Sequence, residues 1–456
     1  MELQVPSFPV FLTFFLLVFM FLKLVKTYKT NNLKPKLPPG PWKLPIIGNM
    51  LHLIGSLPHH CLRDLAKMYG PLMHLQLGNE NHDIIFSNRP HLLAPDIMTY
   101  GSTGIAFAPY GDYGRHLRKI CKVELLNSKC VQSFRSIREE EVSNLICFIS
   151  SNAGLPINLS EKIFSSTFGI TARAAFGKKC KDQEAFITLV KENLEVAGGF
   201  SVSDVFPSLK FLHVVNGMRP KLEELHKKMD KVLENIVNEH KVVKSMKKTG
   251  NRKVDDLVVV DDIFIAGSET SSSTVEWAMS EMLKHSSVME KAQAEVRWVF
   301  ELLFLKAVIK ETLRLHPPLP LLIPRECTES CEINGYGIPA KTKVIVNAWA
   351  IGRDPSYWTE AESFYPERFL DSSVDYKGVS FEFIPFGAGR RICPGITFAT
   401  PNVELPLAQL LYHFDWKLPT QTKHQDLDMT ENFGATVRRK NDLYVIPIPY
   451  HPMPVN

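Results

Sequence analysis

The hydrophobic pattern splits the chain into one saturated N-terminal run and a long body of amphipathic segments. From Pro9 to Leu22 every residue except Thr13 is apolar, and the run has no polar face. With its flanks it reaches Val25, close to the ~20 residues a helix needs to cross a bilayer. Lys23, Lys26 and Lys29 follow it and only Glu2 is charged before it, so the positive-inside rule puts the rest of the chain in the cytosol. No small-residue cleavage pattern follows, which favours a retained anchor over a cleaved signal peptide. Pro35, Pro38, Pro39, Pro41 and Pro45 then forbid helix and make a stiff connector. The expected organisation is a transmembrane anchor over residues 1–30, a proline-rich hinge over 31–48 and one cytosolic domain over 49–456.

The body reads as mainly α with a minor β portion. Over 221–248, Leu222, Leu225, Met229, Leu233 and Ile236 recur at helical spacing among Lys and Glu, which predicts a long surface helix. "STVEWAMSEMLK" and "LKAVIKETLRLH" read as helices, and "HPPLPLLIP" ends the second. "CEINGYGIPAKTKVIVNAWAIGRD" reads as short strands with glycine turns. At 456 residues and 45% hydrophobic, the chain can bury a large core. A net charge of +5, without an arginine-rich run interleaved with aromatics, excludes a nucleic-acid binder. The eight cysteines are scattered and form no CxxC pair, which excludes a disulfide framework and a zinc site. Neither a P-loop nor an HExxH pattern occurs.

The chemistry concentrates in "FEFIPFGAGRRICPGITFA", residues 381–399. A thiolate is a strong, soft metal ligand, but one cysteine cannot build a zinc or iron–sulfur site. It can bind the iron of a porphyrin, which brings four nitrogens and needs one axial protein ligand. Gly387, Gly389 and Gly395 let the backbone pass close to a flat macrocycle. Backbone N–H groups can keep the Cys393 sulfur ionised, Arg391 can pair a haem propionate, and the helix after Pro394 turns its positive end toward the thiolate. Phe386, Gly387, Gly389, Arg391, Cys393 and Gly395 together match F-G-x-G-x-R-x-C-x-G, and through them the chain resembles the cytochrome P-450 monooxygenases.

Other motifs of that family follow in order. E-x-x-R occurs as Glu311 and Arg314, and "PERF" supplies Arg368. The resemblance makes these three a buried ion network on the proximal side of the haem. Ala266, Gly267, Ser268, Glu269 and Thr270 match A-G-x-[DE]-T, which implies that Thr270 and Glu269 deliver protons where dioxygen binds. Arg118 and Arg325 would contact the haem. The family's usual Trp four residues before that first arginine is Gly114 here, so one haem contact is expected to be lost. By the same resemblance Phe107, Ala266, Leu321, Ile323, Phe433 and Gly434 line the substrate pocket. "LPPGPWKLPIIGN", "LRDLAKMYGPLMHLQLG", "KAVIKETLRLHPPLPLLIPRE" and "VIVNAWAIGRDPSYW" are similar to plant A-type enzymes, in particular the terpenoid- and alkaloid-oxidising branch of clan 71. The likeness extends from the anchor to about Pro449.

What the resemblance implies is a cytochrome P-450 fold and a haem-thiolate monooxygenase domain anchored in the endoplasmic reticulum membrane. Its cofactor is heme b with Cys393 as axial thiolate. Electrons come from NADPH through a flavoprotein NADPH-cytochrome reductase, and the enzyme uses O2 to hydroxylate or epoxidise a small apolar plant metabolite. A terpenoid is the first expectation, with an indole alkaloid or a phenolic as alternatives. Arg115, Lys119 and Lys122 form a basic face suited to an acidic reductase.

The chain departs from the family at three joins. After Gly78 it lacks the strand pair and helix expected before "HDIIFSNRP". After "VDDLVVV" it passes directly to "DDIFIAGSET", and after "VRWVF" directly to "ELLFLKAVIKE". These losses are expected to leave sheet partners unpaired, to shorten the distal helix and to remove a connecting helix. They support a second reading, a catalytically defective or haem-binding-only relative. A third, a haem-dependent isomerase or dehydratase, is opposed by Thr270 and the standard cysteine loop.

Overall fold

The computed structural model describes residues 37–42, 49–53, 56–75, 84–176, 183–197, 217–244, 253–298, 301–419, 423–434 and 436–450. The anchor, most of the hinge, the Gly78 join and Cys180 lie outside them. No helix among the described residues is long and apolar enough to cross a membrane.

Among the described residues the helices of nine or more residues are α1 (Pro58–Tyr69), α2 (Asp112–Ile120), α3 (Arg135–Ser151), α4 (Leu159–Phe176) and α5 (Gln183–Ala197). They continue with α6 (Met218–Lys244), α7 (Lys253–Lys284), α8 (Ser286–Trp298), α9 (Leu303–Leu315) and α10 (Ile396–His413). A 3-10 turn over Pro366–Phe369 packs against α9. α7 lies against α4 on one side and against α9 and α10 on others. The main core gathers on these helices, with Ile149, Ile163, Ile170, Met279, Met282, Leu305, Val308, Leu407 and Leu410 almost wholly buried. A second cluster joins Phe168, Phe186, Phe264 and Leu233. Gly267 lets α7 come close to its neighbours: a Cβ there would lie 3.2 Å from Thr171 of α4 and 3.5 Å from Phe398 of α10.

The β portion is small, and its described pairings are antiparallel. β1 (Ile84–Asn88), β3 (Arg325–Thr328) and β6 (Lys343–Val344) form one sheet in the order β1-β3-β6. β2 (Ile157–Asn158), β10 (Tyr444–Pro449) and β7 (Phe414–Lys417) form another, and β4 (Cys331–Ile333) pairs β5 (Tyr336–Ile338). β8 (Glu431–Phe433) and β9 (Val437–Arg439) make a hairpin near the C-terminus.

The chain is continuous and ordered on both sides of the second join, and helices flank the third. The segment before the second join forms the first turns of α7, a continuous 32-residue helix. At the third join α9 begins five residues after α8 ends, and Glu295 caps it: the Glu295 carboxylate accepts the Phe304 N–H at 2.7 Å and the Leu305 N–H at 2.8 Å. An anion at a helix N-terminus satisfies orphan donors and meets the positive end of the dipole. At the first join β1 still pairs with β3.

Candidate haem-thiolate site

Cys393 sits between the 3-10 turn Gly389–Arg391 and α10. Its N–H donates to the Phe386 carbonyl at 2.9 Å, which closes the loop. Gly387 and Gly389 have φ of +70° and +68°, a conformation that disfavours any side chain, so the backbone path requires glycine there. Gly395 serves differently. A Cβ on it would make only ordinary contact with the sulfur at 3.7 Å, and what it contributes is its N–H, 3.3 Å from Sγ. Burial pushes the Cys393 thiol up, while the Gly395 N–H and the charge of Arg118 draw it down. A metal bound at the sulfur would remove the proton outright.

Four guanidinium groups surround this loop. Arg118 Nη2 donates to the Ile392 carbonyl. Arg325 Nη2 donates to the Ala388 carbonyl at 2.9 Å. Arg391 donates to the Ser87 carbonyl at 2.9 Å and to the Ala108 carbonyl at 2.7 Å, tying β1 and the 101–110 loop to the cysteine loop. Arg89, unassigned by sequence reasoning, is 6% exposed and donates to the carbonyls of Ala106, Ile323 and Pro324. Burial and the charges of Arg391, Arg325 and Arg118 push it down to about 9. Among the described residues, no carboxylate is among the charges that shift these four arginines. A cationic cluster of this kind calls for an anion from outside. The two carboxylates of a haem, beside a thiolate for its iron, fit that donor set. The signal for Arg89 was its place in "SNRP", where a buried strand end meets a proline.

Glu311 and Arg314 have fully buried side chains. Arg314 Nε and Nη2 reach the Glu311 carboxylate at 2.7 and 2.8 Å, a bidentate pair, and Arg368 Nε adds a third bond at 3.1 Å. Tyr365 N–H is a fourth donor at 2.8 Å. Arg314 also donates to the Ala361 and Ser363 carbonyls at 2.6 and 3.0 Å. The three residues named from E-x-x-R and "PERF" are thus one network, and it pins the 359–368 loop onto α9.

On α7, Ala266 is exposed, Glu269 is buried and Thr270 is half-buried. Thr270 Oγ1 donates to the Ala266 carbonyl at 2.6 Å, which fixes the hydroxyl proton and leaves the oxygen as an acceptor. Phe107 is half-buried in the 101–110 loop, Leu321 is buried, and the Ile323 carbonyl is held by Arg89. Leu322, between those two, has φ +50°, an unusual conformation for a non-glycine residue. Phe433 pairs with Val437 across the β8–β9 hairpin, and Gly434 follows it in the turn. At Gly114 a Cβ would lie 2.7 Å from the Pro109 carbonyl oxygen, so backbone occupies the space beside this position.

Comparison with known proteins agrees with this geometry. The family model described as cytochrome P-450 matches residues 38–446. Premnaspirodiene oxygenase of Hyoscyamus muticus is 52% identical, over 96% of this chain and 98% of its own. Desmethyl-deoxy-podophyllotoxin synthase of Sinopodophyllum hexandrum is 54% identical, over 98% and 97%, and 5-epiaristolochene 1,3-dihydroxylase of Nicotiana tabacum is 50% identical, over 96% and 98%. These alignments run 491, 498 and 493 positions against a chain of 456 residues, so the relatives carry residues that this chain lacks. Two solved zebra fish cytochrome P-450 structures, one with abiraterone and one with progesterone, share the fold. Their TM-scores are 0.69 and 0.70 at 24% and 23% identity, covering 87% of this chain and all of each matched chain.

Proposed function

The chain belongs to the cytochrome P-450 family, a haem-thiolate monooxygenase of plant type, and from that premise we propose that it oxidises a terpenoid held against the Thr270 face of α7. Two relatives carry terpenoid substrates in their names, premnaspirodiene and 5-epiaristolochene, which supports this class. The 54% identity to the podophyllotoxin synthase keeps a lignan phenolic as the second candidate.

The observation that carries the reading is the half-buried Cys393 thiol beside four arginines without a carboxylate among the charges that shift them. The haem, when bound, activates dioxygen with two electrons from NADPH, placing one oxygen atom in the substrate and releasing the other as water. The residues do the rest. Cys393 offers its sulfur, and the Gly395 N–H moderates the charge there. The four guanidiniums are the groups that would hold the carboxylates of the macrocycle. Thr270, its proton held at the Ala266 carbonyl, would offer its oxygen as a hydrogen-bond acceptor to a group bound against α7. The Glu311–Arg314–Arg368 network keeps the proximal loops in place.

Residues 1–30 as an endoplasmic reticulum anchor, and docking of a reductase on the face of α2, complete the proposal. Arg115 already pairs with Asp112 at 2.6 Å, so Lys119 of α2 and Lys122 in the turn just after it, both exposed, are offered to an acidic partner. Charge reversal at both should slow electron transfer without altering the haem spectrum. An unchanged rate would remove the docking assignment.

The deciding experiment is a reduced, carbon-monoxide difference spectrum of microsomes expressing the chain, with Cys393→Ala as control. A thiolate-type band lost in the control supports the monooxygenase reading. Premnaspirodiene, 5-epiaristolochene and a podophyllotoxin precursor then form the first substrate panel. Detectable protein with no band favours the defective relative.

A further inference from the structure

Outside the haem site, a cluster of titratable groups joins the N-terminal part of the domain to its C-terminal hairpin. His59 Nε2 and His60 Nε2 of α1 lie 2.9 and 3.2 Å from the same oxygen of Glu431, the first residue of β8. The other oxygen of Glu431 faces His316 Nδ1 at 4.0 Å. His316 follows α9 and bonds Glu281 of α7 at 2.6 Å, with its ring stacked on Trp277 at 4.0 Å between centroids. Trp349 stacks on His60 at 4.3 Å. Glu431 is 9% exposed at its side chain, and the side chain of His59 is wholly buried. Burial opposes ionisation of Glu431, yet its hydrogen bond from His59 and the charges of His59, His316 and Arg353 hold the carboxyl at about 2. The carboxylate is charged, desolvated and gripped.

The position of this grip gives it a consequence for the reaction. A two-stranded hairpin of three-residue strands does not hold its own shape. β9 is fastened at both backbone groups of Val437: its N–H donates to the Pro318 carbonyl at 2.8 Å, and its carbonyl accepts from Ser273 Oγ at 3.2 Å. Ser273 lies three residues from Thr270 and so on the same face of α7. Pro318 lies three residues before Leu321. The hairpin therefore runs beside the helix face that carries Thr270, and β8 is its outer strand.

We propose that Glu431 is a positioning residue, which through His59 and His60 fixes the β8–β9 hairpin against the Thr270 face of α7 and so sets which carbon of a bound substrate is oxidised. This rests on the monooxygenase reading above. The bond network alone makes Glu431 a brace. Its consequence for the site follows from the hairpin having one strand on α7 and the other on α1.

Glu431→Gln keeps the shape and removes the charge, and His60→Ala removes one donor at a half-buried position. Both variants of the full chain are compared with wild type by hydrogen exchange and by product analysis. Loss of charge-assisted bonds should speed amide exchange over residues 431–439 by ~10-fold in Glu431→Gln, and less in His60→Ala, with α7, α9 and α10 unchanged. The carbon-monoxide band should keep its height, and the ratio of oxygenated products from premnaspirodiene or 5-epiaristolochene should change by several-fold with total turnover less affected. Unchanged exchange over 431–439 overturns the grip. Faster exchange with an unchanged product ratio overturns the positioning role, and loss of the band in Glu431→Gln alone makes the residue purely structural. A wild-type chain with no band sinks the monooxygenase reading instead, and the exchange measurement still decides whether Glu431 holds the hairpin.

Discussion

Glu276 offers a test of how the interior of this fold treats a charge. It lies on α7, 8% exposed, and accepts a hydrogen bond from Ser160 Oγ, which in turn accepts the Leu443 N–H at 2.7 Å. Burial pushes its carboxyl up to about 7; Ser160 and Arg439 pull it down and Asp442 adds to the rise. From an ordinary 4.5 to about 7 corresponds to about 3 kcal/mol of folding free energy. The sign follows from proton counts. Between those values the folded chain holds the proton and the unfolded chain has released it, so stability falls as pH rises. Below 4.5 both states are protonated, and above about 7 both are ionised, so the contribution is flat at each end. Glu276→Gln keeps an acceptor for Ser160 and cannot ionise. Thermal unfolding of both proteins from pH 5 to pH 8 should show the variant gaining on wild type by ~1.4 kcal/mol per pH step up to about 7, then no further. Parallel curves would refute the reasoning, because they would mean that Arg439 stabilises an ionised Glu276 inside the fold.

Three further substitutions test other parts of the structure. Glu311→Ala leaves Arg314 buried without its bidentate partner and should cost about 3–5 kcal/mol, read as a collapse in the yield of haem-loaded protein. Gly114→Trp should not restore a haem contact: with Pro109 carbonyl oxygen 2.7 Å from the new Cβ, the loop must shift, at a cost of ~1–3 kcal/mol in urea unfolding. Glu295→Ala removes the cap that closes the third join and should lower stability by about 1 kcal/mol, with faster exchange confined to the first turn of α9.

The sequence by itself determined the ligand and its family. Cys393 with its glycines, the E-x-x-R and "PERF" residues and the A-G-x-[DE]-T turn are local patterns, set by backbone angles and helix faces, and they survive in the linear order of residues. The mainly α composition and the helices that cover 221–244, 273–284 and 305–315 were legible for the same reason, because helical periodicity is a local signal. The tertiary structure decided what joins distant segments. Arg89 joined the cluster of Arg118, Arg325 and Arg391 only when β1 was laid beside the Ile323 and Pro324 carbonyls. One helix runs through the second join, because helix propagation needs only that each added residue close one more bond. Glu431 and His59 are 372 residues apart, and nothing near either residue announces the other. Long-range pairing of buried charges depends on how elements pack, and packing is not written in any one stretch of the chain.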